Sequence, residues 1–184
     1  MTSGIAVLGL AGQAWKFVKS LTAWIGRPRL TLYFDPTRTF EKVPVQDAGG
    51  VMGFFCHLVV KNQGKKRAKN CQGELVWVGL DDRREHPEFR ARRTLKWANE
   101  PDFGARDIEG GDDRRLDLCY VLQTQPDLVH FFTPKGPAGV RTDFPAGKYA
   151  LMVRVLGENA RPATERFILG YTGVWNQVEI RQLD

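Results

Sequence analysis

Residues 58–79, LVVKNQGKKRAKNCQGELVWVG, decide the fold class of this 184-residue chain. Two apolar runs, residues 57–60 and 75–78, flank a stretch of Lys, Arg, Asn, Gln and Gly. Short apolar runs on either side of turn-forming residues are typical of two β-strands joined by an exposed turn. The segment therefore predicts a β-hairpin, and it puts the densest positive charge of the chain on the connecting loop.

Short strands are predicted along the rest of the chain as well. Residues 51–61 form a nearly continuous apolar run, which is typical of a central strand covered on both faces. Alternating or short apolar runs recur at residues 30–34, 71–78, 94–97, 116–122, 128–132, 149–155, 166–169 and 174–180. About nine strands, with no helical periodicity after residue 28, predict an all-β fold, an antiparallel sandwich.

Three turn motifs carry a resemblance to a known family. The V-x-N-x-G-x-x-x-A pattern of residues 60–68 resembles a hairpin of bacterial immunoglobulin-like domains related to CARDB modules. Residues 107–118 resemble the later edge-strand turn of such domains, and residues 144–155 resemble their penultimate hairpin. The resemblance covers residues 29–183 and implies an immunoglobulin-like sandwich that acts as a binding or spacing module. It brings no catalytic residue with it.

The amino-terminal residues 1–26 differ from the β domain, residues 27–184. At 100° per residue, one broad face is apolar and the other carries Lys16, Lys19, glycine and polar residues, so the segment predicts an amphipathic helix. Gly26 and Pro28 end it. The apolar face includes the side chains that we predict to dock the helix: Trp15, Phe17, Leu21 and Trp24.

The charges of this predicted helix bear on its function. A secretory signal peptide requires positive charge before its apolar core, which the sequence lacks. A membrane-spanning helix requires about 20 apolar residues, and Lys16 and Lys19 interrupt the stretch. Docking of residues 5–25 on a membrane surface or a protein partner fits, and so does packing on the chain's own domain. The lysines and arginines after the apolar stretch favour a cytoplasmic domain, peripheral to the inner face of a membrane if the helix binds lipid.

The formal net charge of +6 favours anionic surroundings. Five cationic side chains fall within nine residues of the predicted hairpin loop, and they are the candidate anion-binding residues: Lys61, Lys65, Lys66, Arg67 and Lys69. Nucleic acid, lipid headgroups and an acidic protein would each suit them, and a solvated loop is the alternative. The loop contains no aromatic residue on which a base would stack.

No catalytic residue, cofactor, metal site or small-molecule substrate is predicted. Ser3 and Ser20 are the only serines, which excludes a serine triad within the β domain. Cys56 and His57 are adjacent in a predicted strand, so their side chains point to opposite faces. The odd number of cysteines, without metal-ligand spacing, favours free buried thiols, with a Cys56–Cys119 bridge as the alternative.

Together these patterns predict a non-enzymatic interaction or structural module. The predicted helix docks it on a membrane surface or a larger assembly. Two alternatives stay open. One is a nucleic-acid-associated accessory protein that uses the basic hairpin at residues 61–69. The other is a glycan-binding sandwich that uses an exposed tryptophan, for which Trp77, Trp97 and Trp175 are the candidates.

Overall fold

The computed structural model describes residues 26–44, 50–80, 86, 89, 91–134 and 142–183, the side chains of residues 43 and 44 excepted. Apart from Gly26, the helix predicted for residues 1–26 lies outside these residues. The described part of the chain contains no helix and twelve strands. They are β1 Leu30–Tyr33, β2 Phe40–Pro44, β3 Met52–Asn62, β4 Ala68–Gly79, β5 Arg93–Trp97, β6 Arg106–Ile108, β7 Asp113–Leu122, β8 Gln125–Phe131, β9 Asp143–Pro145, β10 Gly147–Gly157, β11 Ala160–Tyr171 and β12 Val178–Leu183.

The strands form one sheet with the order β1-β3-β7-β5-β4-β10-β11-β12. Four further strands extend it: β2 pairs with β3, β6 with β4, β8 with β7, and β9 with β8. Every pairing between these strands is antiparallel. The prediction of an all-β, antiparallel domain is therefore confirmed.

The sheet curves back on itself, and β5 makes the corner. The first residues of β5 pair with β4, for example Leu95 with Gly73, whereas Trp97 pairs with Leu116 of β7. At the other end of the strand order, an isolated parallel bridge joins Arg29, just before β1, to Arg161 in β11. The result is a barrel-like sheet that surrounds one hydrophobic core.

The predicted hairpin of residues 58–79 is wrong, although both of its strands exist. β3 and β4 do not pair with each other. A strand has only two edges, and β3 has β1 and β2 along one edge and β7 along the other. Both edges of β4 are likewise taken, by β10 on one side and by β5 and β6 on the other. Residues 63–67 are therefore a connection from one side of the sheet to the other.

Large apolar side chains from both halves of the sheet meet in the core. Leu58, Trp97, Leu116 and Phe167 are at most 1% exposed, and burial of each such side chain stabilises the fold by about 1.5–3 kcal/mol. All three cysteines are free and buried, with Cys56 directly opposite Cys119 on β7. Burial raises the pKa of the Cys56 thiol well above its usual value, and it raises the pKa of Cys71 to about 11.

Candidate anion-binding site

Asn62, the last residue of β3, organises the basic loop that follows it. Its side chain is fully buried. Its Oδ1 accepts hydrogen bonds from the backbone amides of Arg29 at 3.1 Å and Gly64 at 3.0 Å. Its Nδ2 donates to the carbonyl oxygens of Lys66 at 2.8 Å and Ile108 at 3.0 Å. The side-chain amide thus satisfies its hydrogen-bonding capacity and ties three backbone segments together.

Two glycines allow these segments to approach so closely. A Cβ at Gly64 would lie 2.8 Å from the amide nitrogen of Arg29 and would also strike the carbonyl oxygen of Arg27. A Cβ at Gly110 would lie 2.5 Å from the carbonyl carbon of Lys65. Only glycine fits such approaches. The segment before β1, the basic loop and the β6–β7 turn therefore form one packed unit.

A fourth segment, the turn between β10 and β11, packs on the start of β4. The side chain of Asn159 accepts a hydrogen bond from the Lys69 amide at 2.8 Å and donates one to the Arg67 carbonyl at 2.9 Å. The Glu158 amide donates to the Lys69 carbonyl at 3.0 Å. In addition, Nδ2 of Asn70 donates to the Glu158 carboxylate at 2.6 Å. The backbone of the whole basic loop is thus held from both sides.

The five predicted anion-binding residues do not act as one cluster. Lys65, Lys66 and Lys69 are exposed, and no carboxylate in the described part of the chain pairs with them. Arg67 contacts Glu109 at 2.5 Å and Asp107 at 3.5 Å, so it is neutralised within the protein. Lys61 is half-buried in β3, opposite Asp113 of β7, whose pKa is lowered chiefly by the hydrogen bonds of Arg38 and to a lesser extent by the charge of Lys61.

Three arginines outside the predicted anion-binding set join the exposed lysines. Arg27, Arg29 and Arg161 line a groove of about 940 Å³ between residues 27–30 and the β10–β11 turn. Leu30, Pro28, Ala160, Pro162, Glu158 and Asn159 complete its wall. We call the exposed cations Arg27, Arg29, Lys65, Lys66, Lys69 and Arg161 the basic end of the domain.

Arg67 itself lines a second hollow, whose character is acidic. Its volume is about 440 Å³, and its lining residues are Arg67, Asp107, Ile108, Glu109, Asp112, Asp113 and Arg114. Hydrogen bonds from Arg38, at 2.8 and 3.0 Å, hold the pKa of Asp113 below its usual value. The neighbouring Arg114 pairs with Glu100 at 3.0 Å. The cations of this acidic hollow are therefore occupied by carboxylates of the chain.

A buried polar cluster lies further along β3. The Nδ1 atom of His57 is 2.7 Å from Oδ1 of Asp117, and its Nε2 atom lies 3.6 Å from a carboxylate oxygen of Glu41. Arg115 pairs with the same Glu41. The imidazole is only 4% exposed, and Glu41 covers the nitrogen that a substrate would have to reach. The cluster connects the side chains of β2, β3 and β7.

The remaining candidates are the tryptophans, for binding a glycan, and the residue types that ligate metals. Trp97 is buried in the core, whereas Trp77 and Trp175 are half-buried, the latter with the Lys42 ammonium group 5.9 Å from its ring. Among the described residues, no three His, Cys, Asp or Glu side chains are grouped as metal ligands.

The predicted docking residues Trp15, Phe17, Leu21 and Trp24 lie outside the described part of the chain. Within the residues that are described, no helix has the length and apolar character needed to cross a membrane. Comparison of the chain with protein-family models, with curated proteins and with solved structures gave no match.

Proposed function

We propose that this protein is a non-enzymatic, cytoplasmic interaction module that docks on an anionic membrane surface through its basic end and its amino-terminal residues 5–25. One observation carries the proposal. The backbone of Arg27 and Arg29 packs directly on the basic loop at Gly64, so residue 26 joins the domain at the basic end. Residues 5–25 directly precede Gly26 in the sequence, and we propose that they bind the same surface as the exposed Lys65, Lys66 and Lys69.

A basic surface and an amphipathic helix each bind a membrane weakly, and a protein that has both binds it more tightly. Each Lys or Arg near an anionic bilayer contributes about 1 kcal/mol, and an amphipathic helix adds the burial of its apolar face. The finer form of the fold, an immunoglobulin-like module, is part of the same proposal. Its support is the motif of residues 60–68, in which Val60 and Ala68 are core residues and Asn62 and Gly64 hold the loop, although this loop connects two strands that do not pair with each other and does not close a hairpin.

Nucleic acid is the alternative partner that the same charges would serve. No aromatic side chain lines the groove among the described residues, so it offers no stacking surface for a base. A lipid surface needs no such platform, which is why we favour it. A protein partner that presents an acidic face remains the other form of docking that residues 5–25 would support.

The test is cosedimentation of the full chain with vesicles that contain phosphatidylserine. Replacing Lys65, Lys66 and Lys69 with Glu is expected to weaken binding at least about a hundredfold, since each lysine contributes about 1 kcal/mol. The matched control replaces three exposed cations outside the basic end, Lys148, Arg166 and Arg181, with Glu.

The control variant has the same net charge and is expected to bind clearly better than the basic-end variant. Equal loss in both would show that net charge alone attracts the protein, and the proposal would fail. Tight retention of the wild type on duplex DNA, without any on vesicles, would favour the nucleic-acid alternative.

A further inference from the structure

We propose that the groove between residues 27–30 and 158–162 is a discrete site for a phosphomonoester group, carried by the headgroup of an anionic lipid. The inference rests on the proposed membrane docking and gives it a chemical specificity. A diffuse basic patch responds only to surface charge, whereas a built site distinguishes a phosphomonoester from other anions of equal charge.

The arginines of the groove differ from most others in the structure because the protein does not pair them. Six described arginines form ion pairs with carboxylates: Arg38, Arg67, Arg106, Arg114, Arg115 and Arg154. Arg27, Arg29 and Arg161 have no such partner among the described residues, although all three line one groove. Three neighbouring guanidinium groups repel one another until an anion balances them.

Backbone contacts fix the positions from which two of these side chains project. The Arg29 amide donates to Asn62, and the Arg29 carbonyl accepts a hydrogen bond from Gln63 at 2.8 Å. The parallel bridge places Arg161 beside Arg29 on the neighbouring segment, and paired residues of adjacent strands project their side chains to the same face. Two planar guanidinium groups that start side by side suit the oxygens of one phosphate group, because each binds two oxygens at once.

The one carboxylate of the groove is held by a hydrogen bond from an amide and not by an arginine. Glu158 accepts a hydrogen bond of 2.6 Å from the Asn70 side chain, which belongs to the start of β4. The remaining wall is apolar at Pro28, Leu30, Ala160 and Pro162. A cationic rim above an apolar wall suits an amphiphile, whose phosphate meets the arginines while its less polar part lies against the wall.

The charge of the ligand follows from the three guanidinium groups. A phosphomonoester carries a charge of about −1.5 to −2 at neutral pH and has three terminal oxygens. The phosphodiester of phosphatidylserine has two terminal oxygens and a single charge. We therefore expect the groove to prefer phosphatidic acid, or another lipid with a terminal phosphate, to phosphatidylserine at equal total surface charge.

The test compares two kinds of vesicle with the full chain. One contains about 10 mol% phosphatidic acid and the other about 20 mol% phosphatidylserine, which matches their total charge approximately. The wild type is expected to bind the first at least about tenfold more tightly, the effect of a charged hydrogen bond. The variant R29Q/R161Q is expected to lose this preference.

Two further variants separate a built site from charge alone. R29K/R161K keeps the charge but lacks the planar fork, so it is expected to bind phosphatidylserine like the wild type and to lose the preference for phosphatidic acid. R166Q/R181Q removes two exposed arginines from the neighbouring strands β11 and β12, outside the groove, and is expected to keep the preference. Thermal unfolding of each variant checks that the fold is intact.

Each other outcome overturns a definite part of the account. If the wild type binds both vesicles equally, or if R166Q/R181Q abolishes the preference, the groove is not a phosphomonoester site, and membrane docking still stands. If the wild type binds neither vesicle, the proposed function itself fails. Inorganic phosphate is the free source of the same chemistry, and its tight binding in calorimetry, without lipid preference, would overturn the assignment to a lipid headgroup.

Discussion

Two cavities flank the same basic loop and use their charges in opposite ways. In the acidic hollow, Arg67 forms ion pairs with Asp107 and Glu109, and these pairs hold the loop to the β6–β7 turn. In the groove on the other side, Arg27, Arg29 and Arg161 have no carboxylate partner among the described residues. Charges that the chain pairs internally serve its architecture, and charges that it leaves unpaired are the candidates for a ligand.

Removal of Asn62 is expected to have the largest effect, because this residue holds both cavities in place. Asn62→Ala leaves two backbone amides and two carbonyl groups without their partner. An unsatisfied buried polar group costs about 1–3 kcal/mol, so a loss of about 3–4 kcal/mol in the free energy of unfolding is expected. Urea denaturation measures it.

Gln63→Ala is the control for this substitution, because Gln63 is the exposed neighbour. We expect it to change stability by less than about 0.5 kcal/mol. If Asn62→Ala has an equally small effect on stability, the side-chain amide does not organise the loop. The claim that Asn62 holds both cavities in place would then be wrong.

The contrast between paired and unpaired cations is sharpest at two adjacent residues. Lys66→Gln is expected to weaken binding to phosphatidylserine vesicles about fivefold, as the loss of about 1 kcal/mol requires. Arg67→Gln removes the same charge, but the guanidinium group lies 2.5 Å from the Glu109 carboxylate, which already balances it. We expect at most about a twofold loss. Equal losses would contradict the division of the loop into a paired and an unpaired part.

The acidic hollow also predicts a small dependence of stability on pH. The hydrogen bonds from Arg38 lower the pKa of Asp113 in the folded state, so the pair stabilises the fold above the unfolded carboxyl pKa of about 3.9. This stability is lost as the pH falls through the lower, folded value. At pH 7, Arg38→Gln is expected to lower the melting temperature by about 1–2 °C.

The difference between this variant and the wild type should shrink as the pH falls through the lowered pKa of Asp113, because below it the carboxyl group is protonated in both the folded and the unfolded state. Thermal unfolding between about pH 2 and pH 7 follows the effect. A difference that stays constant over this range would mean that Arg38 stabilises the fold without the charge of Asp113.

The sequence predicts the strands well and their partners poorly. Hydrophobic alternation located nine strands because each has a face in the core. The three strands that it missed, β2, β6 and β9, have three to five residues, and Pro or charged residues occupy much of their length. The hairpin error has another cause: an apolar run marks a strand, but nothing local records that β1, β2 and β7 already occupy both edges of β3.

The sequence likewise predicts only part of the candidate site. Lys65, Lys66 and Lys69 are visible as a local charge run, and the Asn62–Gly64 motif marks the turn that supports them. The groove could not be predicted, because Arg29 and Arg161 are neighbours in space but lie near opposite ends of the domain's sequence. Arg67 was misjudged for a similar reason, since its carboxylate partners come from a turn about 40 positions further along the chain.

Hydrogen–deuterium exchange with and without anionic vesicles tests most directly which end of the domain meets the surface. We expect slower exchange of backbone amides in residues 63–67 and 158–161, at the basic end. Residues 123–124 and 145–147, at the far ends of β7 and β10, should be unchanged. Protection of the far end, or bound protein without any protection at the basic end, would contradict the account.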